Sequence, residues 1–349
     1  MKTAKASATA LKHARALVSS LLDQGDLLAM VESRMSDLAG DRALDPGARM
    51  VREHLGAGGK RLRARLAIAA CQALGGRAED AIDWAAAVEL LHNASLVHDD
   101  IQDGDRTRRG KPALWARYGP AQAINTGDVL LMLPFRALRT YPAEVQAALV
   151  QILAEYGEST ARGQIRELAL TASPDKGWSE YFAAVSGKTG TLFALPVRGA
   201  AQIAGLEFEE ANRLAQTFNS IGVLYQLQDD LLDLFDAKGR GARGSDIYQG
   251  RLGAVVLTHL DLHPQDAEEV FRTLAKPREA TAREEVDRLI VRFIDGGAVQ
   301  QLLERIRSLA SELSASGPVS SSPGLEAVAR ELIERVLAPL DEVQGAHHA

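Results

Sequence analysis

Apolar residues recur at three- and four-residue spacings through 62–74, 84–97, 145–156, 208–235 and 299–312. That period marks one face of an α-helix, not the two-residue alternation of a half-buried strand. Ala, Leu, Glu, Arg and Gln, all good helix formers, dominate these stretches. Only Ala254-Val255-Val256-Leu257 reads equally as strand or helix. The breaks are brief: Asp45-Pro46-Gly47, Gly75-Gly76, Ser173-Pro174-Asp175 and Ser316-Gly317-Pro318. Two longer irregular stretches are expected, Ser314 to Pro323 and a Gly-rich basic segment from Ala237 to Gly250. The pattern predicts an all-α chain of ten or more helices. With no fixed-period repeat and no shift in composition, one domain over 1–349 is expected.

Composition narrows the class. A chain of 349 residues buries roughly 75% of its unfolded surface, enough for a large core. A charged fraction of 25% excludes wholesale disorder. A net charge of −6 argues against a general nucleic-acid binder. No apolar run reaches 18 residues, so no transmembrane segment is expected. The opening stretch, interrupted by His13, Arg15, Ser19 and Ser20, reads as an amphipathic helix and not as a secretory signal. A single cysteine, Cys71, makes no internal disulfide or thiolate metal site, and a cytoplasmic setting is expected.

The candidate chemistry begins with acids. At this Asp content, Asp-Asp-x-x-Asp arises by chance about 0.1 times per chain. It occurs twice, at Asp99-Asp100-Ile101-Gln102-Asp103 and Asp229-Asp230-Leu231-Leu232-Asp233. Residues i and i+4 share a helix face, so Asp99 projects with Asp103 and Asp229 with Asp233. Paired like charges following apolar helix need a neutralising partner. Hard oxygen ligands without Cys or His favour Mg²⁺, with Mn²⁺ the alternative. Mg²⁺ takes one or two carboxylates and fills its octahedron with water and phosphate oxygens. Two such acid sets suit a metal-bound diphosphate.

Three basic groups complement them: Gly58-Gly59-Lys60-Arg61-Leu62-Arg63, Arg108-Arg109-Gly110-Lys111-Pro112 and Lys188-Thr189-Gly190. A glycine-opened helix start carrying Lys60 and Arg63 suits a phosphate. His92 lies two helical turns before Asp99, on the same face. These cations exceed what one metal-bound diphosphate needs, which points to two anionic groups.

Together the motifs resemble the trans-isoprenyl diphosphate synthases of the polyprenyl synthetase family, nearest in motif to geranylgeranyl diphosphate synthases. The resemblance runs from about Gly58 to Leu257: GGKRLR at 58–63, HNASLVHDDIQD at 92–103, RRGKP at 108–112, GDVLL at 127–131, KTG at 188–190, YQLQDDLLD at 225–233 and GSDIYQGR at 244–251. It implies an all-helical isoprenoid-synthase bundle with a deep central cavity, a homodimer, and Mg²⁺-dependent head-to-tail condensation of isopentenyl diphosphate onto an allylic diphosphate. It implies three Mg²⁺ held by Asp99, Asp103 and Asp229, with Asp100 and Asp233 supporting. Arg108, Lys188, Thr189, Gln226 and Arg251 would hold the allylic diphosphate. Lys60, Arg63, His92 and Arg109 would hold isopentenyl diphosphate, with backbone contact at Gly59. The catalytic set is then Asp99, Asp103, Asp229, Lys188 and Arg108, and the segment 237–250 is the expected lid. Three departures stand out: Ala64 where proline is usual, Arg251 where lysine is usual, and Glu167 in place of aspartate in Gly163-Gln164-Ile165-Arg166-Glu167.

Product length is read from the helix before Asp99. A bulky residue there limits the family's products to about fifteen carbons, but Ala94 and Ser95 are small. The expectation is twenty carbons or more, geranylgeranyl diphosphate foremost, with Leu91, Met132 and Phe135 as deeper floors. A class I terpene cyclase on the same fold is one alternative. It has no use for a second diphosphate pocket, and its aromatic lining is poorly served by 5% aromatics. The other is a non-catalytic partner subunit, which would be free to lose aspartates; all six are present.

Overall fold

A computed structural model describes residues 25–41, 45–170, 175–235, 243–315 and 322–347. The expected opening helix and residues 237–242 of the expected lid lie outside these residues. Helices follow one another from end to end: α1 Gly25–Ala39, α2 Pro46–Leu55, α3 Leu62–Ala73, α4 Ile82–Gln102, α5 Leu114–Tyr118, α6 Pro120–Ala137, α7 Ala143–Ala169 and α8 Trp178–Val185. After a π-helical segment at Ser186–Gly190 come α9 Thr191–Ile203, α10 Phe208–Asp233, α11 Ser245–Tyr248, α12 Ala254–Leu262, α13 Ala267–Leu274, α14 Arg283–Asp295, α15 Ala298–Ala315 and α16 Pro323–His347. The all-α expectation holds. Among the described residues the only strands are β1 Thr107–Arg108 and β2 Lys111–Pro112, paired antiparallel. The ambiguous run 254–257 is buried helix at the start of α12. No helix is long and apolar enough to cross a membrane among the described residues.

Contacts gather the chain into two compact units, each drawn from three stretches. The first comprises 1–157, 192–218 and 317–331. Its centre is α4, whose first turns are almost wholly apolar and are buried on every side. Trp84, Ala85, Ala86, Ala87, Val88 and Leu90 are fully buried. The alanines bring neighbouring backbones close, and α1, α3 and α6 pack on α4. The Trp84 N–H, an orphan at the helix start, donates to the Tyr141 hydroxyl at 3.1 Å, which in turn donates to the Asp80 carbonyl at 2.6 Å. The Trp84 indole lies flush on Gly199 of α9, where a Cβ would come within 2.1 Å of the ring. Beyond α4, β1 and β2 form a two-residue hairpin around Arg109 and Gly110, with φ of 52° and 74°. Two successive left-handed residues are what a type I′ turn demands.

The second unit comprises 158–191, 219–316 and 332–349. Its organising feature is the π-helical segment carrying Lys188-Thr189-Gly190. A Cβ on Gly163 of α7 would lie 2.3 Å from the Lys188 nitrogen, and one on Gly222 of α10 would lie 2.7 Å from the Gly190 Cα. Glycines therefore let the bulged backbone sit directly against both helices. The extra residue of a π-turn re-aims side chains, which is why such bulges gather at functional sites.

Candidate active site

In the first unit the Asp103 N–H donates to the Asp99 carbonyl at 2.8 Å, so helical geometry carries both acids onto one face at the end of α4. Both are half-buried. Asp100, about 100° round the helix, turns inward. It is 2% exposed; its Oδ1 accepts from Arg108 Nε at 2.7 Å and lies 2.6 Å from Nη2. Burial pushes the Asp100 carboxyl upward, and Arg108 opposes that shift. In this arrangement the Asp100 carboxylate anchors Arg108.

Arg63 and His92, from α3 and α4, meet at 3.1 Å between Nη1 and Nε2. Burial, followed by Arg63, Arg108 and Arg109, holds His92 well below the ordinary histidine range. His92 is therefore neutral, and because a guanidinium only donates, Nε2 is the acceptor. The proton resides on Nδ1, which is buried and has no partner. A buried N–H without an acceptor, beside a guanidinium that also only donates, suits an anion oxygen. His54, unremarked in the sequence, is buried nearby and pushed down to about 3 by burial and by Arg108, Arg109 and Arg61. At Gly59, φ is +138° and a Cβ would collide with the Arg109 guanidinium. Glycine is thus required where Arg109 closes on the turn, and Arg109 donates to the Gly58 carbonyl.

In the second unit Lys188 Nζ lies 2.8 Å from Glu167 Oε2, and Arg251 Nη1 lies 2.8 Å from Glu167 Oε1. One carboxylate thus bridges two cations that would otherwise repel. Thr189 donates to Gln226 Oε1 at 2.9 Å, and Gln226 Nε2 donates to Asp230 Oδ1 at 2.8 Å. Asp230 Oδ2 also accepts from the Tyr181 hydroxyl at 2.7 Å and the Ala254 N–H at 2.9 Å. Burial and then Asp246 raise Asp230 to about 7. These bonds set which end of the Gln226 amide faces Thr189. Asp229 is half-buried on the opposite side of the motif. Asp233 is 3% exposed and accepts the Asp246 N–H at 3.0 Å.

Among the described residues no three His, Cys, Asp or Glu side chains converge as a ready-made metal cage. The half-buried pair Asp99 and Asp103 suits a metal that takes few protein oxygens and completes its shell from water and substrate, as Mg²⁺ does. Of the expected chain-length residues, Ala94 and Leu91 are buried, and Ser95 donates to the His92 carbonyl at 2.8 Å. Phe135 is half-buried. Met132 is 59% exposed on α6. Sequence reasoning missed Tyr181, Asp230, His54 and the bridging part of Glu167. Asp230 carried a signal, the i+1 place in the motif; the others depend on contacts distant in sequence.

An all-helical bundle that presents two aspartate motifs and separate clusters of cations defines a diphosphate-handling transferase. Residues 47–292 match the Polyprenyl synthetase family. A geranylgeranyl pyrophosphate synthase from Geoglobus acetivorans is 32% identical over 81% of this chain and 87% of its own. Among solved structures, a geranylgeranyl pyrophosphate synthase superposes with a TM-score of 0.82 and 25% identity, covering 92% of this chain and 98% of its own. A polyprenyl synthase from Caulobacter crescentus, complexed with calcium and isoprenyl diphosphate, superposes at 0.80 with 27% identity, covering 92% and 97%. The chain belongs to the polyprenyl synthetase family and is a prenyltransferase.

Proposed function

We propose that the chain condenses isopentenyl diphosphate head-to-tail with an allylic diphosphate to give a linear trans-polyprenyl diphosphate, geranylgeranyl diphosphate (C20) foremost. The observation that carries this reading is the Arg63–His92 pair with its unsatisfied buried N–H. It supplies a diphosphate pocket that a cyclase, which only ionises one substrate, does not need. Lys60, Arg63, His92 and Arg109, with the Gly59 backbone, bind isopentenyl diphosphate there. Arg108, Lys188, Thr189, Gln226 and Arg251 bind the allylic diphosphate.

Asp99, Asp103 and Asp229 are the residues that would hold Mg²⁺, in three ions by family resemblance. Calcium in the Caulobacter complex supports a divalent cation. When bound, the metal supplies Lewis-acid stabilisation of the departing diphosphate. Arg108, kept in place by Asp100, and Lys188 and Arg251, kept in place by Glu167, add fixed positive charge where negative charge grows as the allylic C–O bond ionises. Neutral His92 and Arg63 orient the second substrate so that its double bond meets the allylic cation. The proton then leaves to the freed diphosphate.

The small size of Ala94 and Ser95 before Asp99 supports a product longer than C15. The apolar residues Ile124, Val129 and Met132 stand exposed on α6, which supports a homodimer covering that face. Because each compact unit is stitched from three stretches, the whole chain is treated as one isoprenoid-synthase domain. A single buried, unpaired cysteine supports a cytoplasmic setting.

The test is incubation of the purified chain with Mg²⁺, isopentenyl diphosphate and each of the C5, C10 and C15 allylic diphosphates, followed by dephosphorylation and mass spectrometry. The expected product is a linear prenyl alcohol of C20 or longer. A cyclic hydrocarbon made without isopentenyl diphosphate would replace this reading by the cyclase, and no turnover would replace it by the partner subunit.

A further inference from the structure

Four of the six backbone carbonyls from Leu55 to Lys60 accept a hydrogen bond from a cationic side chain. Arg61 Nη2 donates to Leu55 O at 2.7 Å, Lys111 Nζ to Gly56 O at 2.8 Å, Arg109 Nη1 to Gly58 O, and Arg65 Nε to Lys60 O at 3.0 Å. This turn leaves the end of α2 and carries Gly59 and Lys60. Arg61 and Lys111 have no assigned contact with substrate.

The arrangement answers two physical problems. The first is electrostatic. The last carbonyls of a helix form the negative end of its dipole, equivalent to roughly half an elementary charge. Here that end faces the turn meant to receive a dianionic group. Cations seated on those carbonyls cancel a field that would repel it. The second is conformational. Gly58, Gly59 and Arg61 have φ of +81°, +138° and +48°, and a left-handed arginine persists only when its surroundings hold it. Arg61 is 5% exposed and also donates from Nε to Glu32 Oε1 at 3.2 Å, joining α1, the end of α2 and the head of α3. Lys111 reaches the same turn from β2, on the hairpin that carries Arg108 and Arg109.

We infer that Arg61 and Lys111 are positioning residues for the isopentenyl diphosphate pocket: by seating their charges on the Leu55 and Gly56 carbonyls they hold the 55–60 turn and cancel the helix-end field that would oppose the diphosphate. The inference rests on the reading of that pocket given above. Its test uses the full chain carrying Lys111→Met, Lys111→Arg or Arg61→Lys, with both substrates varied. Lys111→Met is expected to raise KM for isopentenyl diphosphate about fivefold, the size of one lost charged contact. KM for the allylic substrate and kcat are expected to stay within twofold. Lys111→Arg is expected to restore the wild-type value, and Arg61→Lys to have the larger effect. Should Arg61→Lys fail to fold, Lys111→Met decides, since its side chain is exposed. An isopentenyl diphosphate KM within twofold of wild type, or a parallel rise in both KM values, would overturn the inference. A second readout needs no turnover: the rise in melting temperature produced by isopentenyl diphosphate alone in EDTA, expected smaller in Lys111→Met than in wild type. Loss of wild-type turnover with that difference intact would fault the proposed reaction; equal thermal shifts would fault the inference.

Discussion

Asp100 and Arg108, eight residues apart, are joined at one carboxylate oxygen by a hydrogen bond from Nε at 2.7 Å and an ion pair with Nη2 at 2.6 Å. The second aspartate of the first motif thus holds the arginine assigned to the allylic diphosphate. Replacing it by asparagine keeps the shape and removes the charge that orients Arg108. A charge-assisted hydrogen bond contributes about 1.5–3 kcal/mol, so Asp100→Asn is expected to lower kcat/KM for the allylic substrate about tenfold or more. Steady-state kinetics with each substrate varied checks this, and KM for isopentenyl diphosphate should change little.

Glu167 holds Lys188 and Arg251 at 2.8 Å each through opposite oxygens. In Glu167→Gln the two cations lose their shared counter-charge and move apart. The expected outcome is an allylic KM raised about tenfold, equivalent to about 1.4 kcal/mol. Glu167→Asp, one methylene shorter, should fall between the two because it cannot reach both cations. Initial rates against allylic concentration distinguish the three proteins.

His54 is held down to about 3 in the folded chain, against 6.5 when unfolded. The folded pKa is depressed, so between pH 6.5 and 3 the unfolded chain binds the proton that the folded chain refuses. Stability from this group is complete above pH 6.5 and is lost as pH falls toward 3. The slope is at most about 1.4 kcal/mol per pH unit for one such histidine. His92, depressed in the same direction, adds to it. Urea unfolding at pH 7, 6 and 5 should show this decline, and His54→Gln should flatten it.

Ala94 is fully buried in α4, five residues before Asp99. On the proposed reading, phenylalanine there would block the path of the growing chain. Ala94→Phe is expected to shift the longest product to C15, at a stability cost of about 1–3 kcal/mol from overpacking. Mass spectrometry of the dephosphorylated products checks this; unchanged product length would exclude Ala94 as the floor.

Much of this chemistry was legible in the residues. Helical period located the buried helices, because a 3.6-residue repeat of apolar positions has one regular solution. The spacing of Asp99 and Asp103 predicted a shared face for the same reason. That arithmetic also bore on Asp100, since an i+1 neighbour points elsewhere, and the structure seats it against Arg108. The exposure of Met132 was not legible, because it depends on which side of α6 faces the other helices.

Sequence alone determined the helical class, the two acid motifs, the basic turn and the family they resemble, because these follow from local periodicity and from residue types at short spacing. Only tertiary structure decided that Glu167 bridges Lys188 and Arg251, that Tyr181 and Ala254 fasten Asp230, and that Arg61 and Lys111 converge on the 55–60 carbonyls. These partners lie from 6 to 84 residues apart along the chain. Their pairing is set by how buried helices pack and by the need of each buried charge for a counter-charge, and neither is encoded at any fixed spacing.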